Sequence, residues 1–297
     1  MRRLTGGLSA LAVVGAAVFW LLTAPRPLPE TALSGLSGDV ARGESVFWAA
    51  GCASCHAAPG AEGEAMLVLA GGREFASPFG TFVAPNISQH PERGIGGWTT
   101  GQIANAVMRG VSPDGRHYYP AFPYTAYGKM APQDAVDLAA YLETLPESEV
   151  ESRPHGLGFP FTIRRGLGLW KMLFVSDNWA LTEAPDAKVE RGRYLAEALA
   201  HCGECHTPRG PLGGLDRGRW MAGAPIPGAE RGSYPNITPA ALDWSEADIV
   251  EYLTSGFTPD YDTVGGHMVE VVENMARLPR EDREAVAAYL KALPPVE

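Results

Sequence analysis

The chain has 297 residues, a formal net charge of −10, a pI near 5.2 and 45% apolar residues. That length suffices for two domains of about 100–150 residues each, and the acidic balance argues against a nucleic-acid partner, whose phosphates need a basic footprint. Abundant glycine (35) and proline (25) point to loop-rich domains rather than long regular elements.

Residues 1–30 read as a membrane anchor or a signal. Arg2 and Arg3 precede an uncharged, largely apolar run from Leu4 to Ala24, close to the roughly 20 residues that span a bilayer as a helix. The arginines would stay in the cytoplasm and place the remaining chain outside it. A cleaved signal peptide is the rival reading. Leu22 three positions before a cut after Ala24, and Pro25 directly after it, disfavour cleavage.

Two similar units follow, 36–148 and 186–297. "VARGESVFWAAGCASCH" begins at Val40 and "VERGRYLAEALAHCGECH" at Val189. His56 lies 30 residues before Asn86 of "APNIS", and His206 lies 30 before Asn236 of "YPNIT". Trp98 precedes Ile103 by five, as Trp244 precedes Ile249. "AAYLETLP" and "AAYLKALP" close the units. Such spacing identifies an internal repeat.

Each unit reads as helical. An amphipathic helix over 40–50 runs into the first cysteines. A second starts at Thr99 or Thr100 and stops at Gly110; its counterpart runs from Ser245 to Gly256. The closing helices open with proline and acids and end at proline. No strand shows a convincing period of two. The linker, 149–185, holds the aromatic and basic stretch "HGLGFPFTIRRGLGLWKMLF". It reads as a wrap that packs the domains together, or else as a surface for a membrane or partner.

The four cysteines fall in two Cys-x-x-Cys-His motifs: Cys52, Cys55, His56 and Cys202, Cys205, His206. Two thiols at this spacing can add to the vinyl groups on one edge of a haem, and the following imidazole then lies under the iron. A zinc site would need both pairs in one sphere, and a thioredoxin-type pair expects a strand–helix setting. A disulfide explains neither histidine. Two covalently bound haem c groups, with their iron, are the expectation.

Given these motifs with "FVAPNIS", "GVSPDGRHYYPAFPYTAYGKM", "YPNITP" and "GFTPDYDTVGGHM", the chain resembles membrane-anchored dihaem cytochromes c of bacteria. These are related to the cytochrome subunits of periplasmic alcohol, aldehyde and sugar dehydrogenases. The resemblance implies a mainly α fold of two tandem class I-like cytochrome c domains after one N-terminal transmembrane helix. It also implies histidine–methionine ligation. In the first domain Met130 matches the family's "YGKM" position; Leu278 at the comparable place in the second domain leaves a packing role open. In the second domain Met268 matches "GGHM", while counting from the Pro-Asp pair favours Met275. His117 and His267 are rival ligands. Asn86 and Asn236 stand either near a haem edge or as turn residues, and Trp98 and Trp244 read as core.

The implied activity is electron transfer in the periplasm at the inner membrane. A dehydrogenase catalytic subunit would be the donor and an oxidase or soluble redox carrier the acceptor. The alternative is a haem enzyme, a dihaem peroxidase or a thiosulfate-oxidising cytochrome, which needs an open or unusually ligated iron.

Overall fold

A computed structural model describes residues 2–229 and 231–297, with the side chains of 2–10 and of Glu30 outside that description. The chain begins with α1, Arg2–Leu22. Among the described residues no helix is long and apolar enough to cross a membrane, so the expected transmembrane helix corresponds to α1 in position only. The end of α1 is docked. Thr23 is buried, its carbonyl lies 2.9 Å from Nε2 of His117, and its hydroxyl accepts from Nε of Arg165 at 3.0 Å.

The first half is built from α2 (Val40–Ala49), α3 (Cys52–His56), α4 (Thr100–Arg109), α5 (Tyr124–Tyr127) and α6 (Pro132–Leu142). Asp39 caps α2 by accepting from the Arg42 N–H at 2.9 Å, and Thr99 forms a capping box with Gln102 at the start of α4. Gly110 ends α4 in the left-handed region at φ 57°. The α2–α6 contact closes this half, with Phe47, Leu138 and Ala139 fully or almost fully buried.

The second half repeats the scheme. After α7 of the linker (Leu167–Phe174) come α8 (Ala187–Tyr194), α9 (Gly203–His206), α10 (Glu246–Ser255), α11 (Met268–Ala276) and α12 (Arg280–Ala292). Asp186 and Ser245 cap α8 and α10, and Gly256 ends α10 at φ 79°. Here α8 packs on α12. Both helix pairs require a glycine at the crossing. A Cβ on Gly43 would lie 2.0 Å from the Asp137 carbonyl oxygen, and one on Gly192 would lie 1.8 Å from that of Ala285. The shared "V-x-R-G" therefore records a backbone-to-backbone approach that no side chain permits.

Short strands are also present. β1 (Glu74–Ser77) and β2 (Gly80–Val83) form a hairpin that β3 (Gly156–Leu157) extends on its β2 edge. β4 (Ala224–Pro225) pairs with β5 (Ser233–Tyr234). Two to four residues carry too little alternation for a period of two to show. The linker packs in part and is exposed in part. Trp170 donates to the Leu212 carbonyl at 2.8 Å and Phe174 covers Gly214, whereas Phe159, Met172 and Leu173 face outwards.

Candidate haem-attachment sites

Each Cys-x-x-Cys-His stretch starts from a left-handed residue, Gly51 at φ 64° and His201 at φ 44°. That turn swings the chain from the preceding helix into the short helix carrying the second cysteine and the histidine. At His201 the conformation costs about 1–2 kcal/mol that a glycine would not incur, the sort of local strain that collects at functional sites.

All four thiols are free and partly buried. Burial pushes Cys52 and Cys202 up to about 12 and Cys55 to about 11, and it raises Cys205 as well. These groups are thiols rather than thiolates, unlike a redox-active pair. Among the described residues no group of three or more His, Cys, Asp or Glu is placed to hold a metal ion, which removes the shared zinc sphere.

The two histidines are held identically. Nδ1 of His56 lies 2.9 Å from the Pro85 carbonyl oxygen, and Nδ1 of His206 lies 2.8 Å from that of Pro235. A carbonyl only accepts, so Nδ1 carries the proton and the Nε2 lone pair is free. Burial lowers both imidazole pKa values, against the carbonyl's opposing effect, and keeps the rings neutral. A neutral imidazole with one N–H on a carbonyl is the arrangement that orients and strengthens a metal-ligating histidine. The surrounding backbone repeats too. Gly71 donates to the His56 carbonyl at 2.7 Å and Gly223 to that of His206 at 2.8 Å.

The asparagines beside these prolines fix their own loops. Nδ2 of Asn86 donates to the carbonyls of Ser148 (2.9 Å) and Val150 (2.7 Å), and Oδ1 accepts from the Ser88 N–H. Asn236 does the same with Val296 and Thr238. The functional atom in "PNI" is the proline carbonyl, which residue-type reasoning passes over because every residue has one.

In the first half Cys52, Cys55 and His56 line a cavity of about 580 Å³, within the roughly 300–1,000 Å³ usual for small-molecule and cofactor sites. Its walls are mostly apolar and aromatic, including Phe82, Trp98, Phe122 and Tyr127; Arg93, Arg153 and Arg164 supply positive charge. The thiol pair, the neutral imidazole, the aromatic walls and cations suited to carboxylates fit a haem. Trp98 is thus a wall residue, while Trp244 packs on the core against Tyr252.

The expected methionines fall in different places. Met130 is 2% exposed, sits in the core and does not line this cavity. Met268 is the first residue of α11 and half-buried. Met275 is buried in the core, its carbonyl accepting from Nη1 of Arg283 at 2.8 Å. Of the rival histidines, His117 faces Thr23, and His267 is exposed, 3.5 Å from Nη2 of Arg73.

The two motifs also approach each other. His201 lines the first cavity, and its ring lies 5.6 Å from that of Tyr127 in an edge-to-face pair; the Tyr127 hydroxyl donates to the Ala50 carbonyl at 2.6 Å. Nη1 of Arg73 binds both the Ser54 carbonyl and the Glu270 carboxylate of α11. Nothing in either motif announces this contact.

The family described as cytochrome c matches residues 40–146. A dihaem c-type cytochrome of Cereibacter sphaeroides is 55% identical over 296 residues, covering 100% of this chain and 99% of that protein. The fructose dehydrogenase cytochrome subunit of Gluconobacter japonicus is 36% identical over 91% of this chain and 55% of its own length. A cytochrome c subunit of quinone-type alcohol dehydrogenase from Gluconacetobacter polyoxogenes is 36% identical over 88% of this chain and 57% of its own. The chain thus spans little more than half of these two dehydrogenase subunits.

Proposed function

The chain belongs to the dihaem c-type cytochromes, and from that premise we propose that it passes electrons from a dehydrogenase partner to a terminal oxidase or a soluble redox carrier through two covalently bound haem c groups. The observation that carries this reading is the twin arrangement at His56–Pro85 and His206–Pro235, each directly after a pair of free thiols. When bound, haem supplies the one-electron couple, and the axial ligand and burial set its potential. The chain's own tasks are attachment and orientation. Cys52 with Cys55, and Cys202 with Cys205, form the thioethers, and the proline carbonyls fix the imidazoles. In the second half Met268, at the exposed start of its helix, is the sulfur ligand, whereas Met275 is spent on packing.

The dehydrogenase partner is supported by the relatives, which are named as cytochrome subunits of fructose, alcohol and gluconate dehydrogenases. Attachment to the inner membrane with the haem domains in the periplasm is supported by the apolar run of α1. Leu11 and Leu21 are more than 70% exposed, and the linker adds outward-facing Phe159, Met172 and Leu173. Exposed apolar surface of this extent marks an interface with lipid or protein.

Intact mass of the denatured protein should show two covalent haems. Tagged protein purified from mild detergent should bring down a dehydrogenase, whose substrate should reduce the haems in stopped flow. Unaltered apo mass, or haems that stay oxidised with every co-purified dehydrogenase and its substrate, would end this reading. Wild-type protein should also remain with membranes in high salt, and a chain lacking residues 1–30 behind a cleavable leader should not.

A further inference from the structure

Resting on the reading that α1 attaches the chain to a membrane, we propose that the outer face of α7 and the strap before it lie on that membrane as a second contact, seated among anionic phospholipid headgroups.

The polarity of α7 is the reverse of that expected for a helix in water. Its one charged side chain, Lys171, points inwards. Nζ donates to the carbonyls of Arg109 and Gly110 at the end of α4, at 2.6 and 2.8 Å, and lies 4.4 Å from the Tyr124 ring centroid. Gly168, one turn earlier on the same side, is pressed against Thr23, where a Cβ would come within 2.6 Å of the backbone. A second side, Trp170 and Phe174, packs on residues 212–214. The third side is Leu169, Met172 and Leu173, at the spacing of one helical face. All three are exposed, Leu173 by 69%. Phe159 and Ile163 of the preceding strap, and Leu212 beside Trp170, are exposed as well. A surface helix in water turns its apolar stripe to the core; this one turns it outwards.

The place of α7 favours lipid over a protein partner. Gly168 abuts Thr23, directly after α1. Arg165 donates from Nε to the Thr23 hydroxyl and from Nη2 to the Trp20 carbonyl, and its guanidinium lies 4.1 Å from the Trp20 ring centroid. These contacts fix α7 at the level of the last turn of α1, where an attached chain meets the headgroups. Trp20 is itself exposed, as suits the aromatic belt at a membrane surface.

Charge complements this position. Residues 152–176 carry Arg153, Arg164, Arg165 and Lys171 and no acid, in a chain of net charge −10. Where α7 meets α1, a cavity of about 260 Å³ has Leu22 and Met172 on its wall beside Arg26 and Arg109, with Asp177 as its one acid. Arg26, Arg109, Arg164 and Arg165 take part in no ion pair among the described residues. Cations beside an outward apolar face fit anionic headgroups above acyl chains.

The test uses the full-length protein in lipid nanodiscs, without a dehydrogenase, and maps side-chain modification by hydroxyl radicals. Rates are corrected for the intrinsic reactivity of each residue type. In discs of equal phosphatidylglycerol and phosphatidylcholine, Phe159, Met172 and Leu173 should react severalfold more slowly than Tyr261, which is 91% exposed in the second half. Discs of phosphatidylcholine alone should weaken that protection. Met172→Glu combined with Leu173→Glu should bring Phe159 up to the rate that its 82% exposure allows. Rates in the anionic discs that simply follow exposure would overturn the proposal, and so would protection that appears only when a dehydrogenase is added. Equal protection in both lipids would overturn the anionic headgroup. Should the double variant not fold, the wild-type footprint in the two lipids still decides. Protein that elutes apart from the discs would remove the attachment reading itself, and the second contact with it.

Discussion

Asn274, near the end of α11, donates from Nδ2 to the hydroxyl of Ser54 at 2.8 Å, and Ser54 lies between the two cysteines of the first motif. The helix that starts with Met268 is thereby tied at its other end to the first attachment site. Arg277, one residue beyond α11, adds a cation–π contact 4.0 Å from the Trp48 ring centroid. The two sites are parts of one packed unit, and a change in one should be felt in the other.

Asn274→Leu keeps the volume and removes the donor. We expect a loss of about 0.5–1.5 kcal/mol, the net worth of a typical hydrogen bond, read as a lower urea midpoint. The potentials of both haems should shift in a spectroelectrochemical titration. A shift confined to one haem would show that the contact does not couple them.

Gly43→Ala and Gly192→Ala force a Cβ into a backbone carbonyl and should each cost about 3 kcal/mol or more. Gly101→Ala, in α4, meets only the Thr99 hydroxyl at 3.9 Å, and should stabilise by about 0.5–1 kcal/mol. Thermal melts of the three variants check both signs. Gly43→Ala at wild-type stability would refute the close approach.

Asn86→Ala strips three hydrogen bonds from the turn that carries the Pro85 carbonyl. About 1–3 kcal/mol is expected for each buried group left unpaired. Because Pro85 orients His56, the potential of the first haem should move while that of the second, served by Asn236, moves less. Equal shifts in both would argue against this local role.

Asp137 is fully buried, and accepts from the Asp39 N–H at 2.7 Å, from Nε of Arg42 at 2.8 Å and from Gln133 at 2.8 Å. Burial alone would raise its pKa, but the Arg42 bond and the other donors outweigh it and hold it below the ordinary 3.8. A carboxylate with a depressed folded pKa stabilises the fold above its unfolded value, and that contribution disappears as pH falls through the folded one. Acid unfolding of wild type should therefore steepen below about pH 4, the unfolded carboxylate value. Asp137→Asn should flatten that limb and cost about 1.5–3 kcal/mol near neutrality. An unchanged acid limb would refute the assignment.

Much of this protein was legible in its sequence because the relevant interactions are local. Cys-x-x-Cys-His brings thiols and imidazole together within five consecutive residues at one short helix. Thr99, Ser245, Gly110 and Gly256 mark helix ends by bonds to their immediate neighbours. Spacing also exposed the repeat, and with it the paired histidines. Tertiary structure decided what depends on residues far apart in the chain. The Pro85 and Pro235 carbonyls reach their histidines across 29 residues, through an atom that residue identity does not reveal. The motif marked Met130, and the folded chain buries it just before α6, in one core cluster with Tyr127 and Leu138. The loops after α4 and α10 became comparable only through the hydrogen bonds that put residues 110–118 and 256–264 in one register. Which side chain faces a cavity depends on how separate helices pack around it, and that packing is a property of the folded chain as a whole.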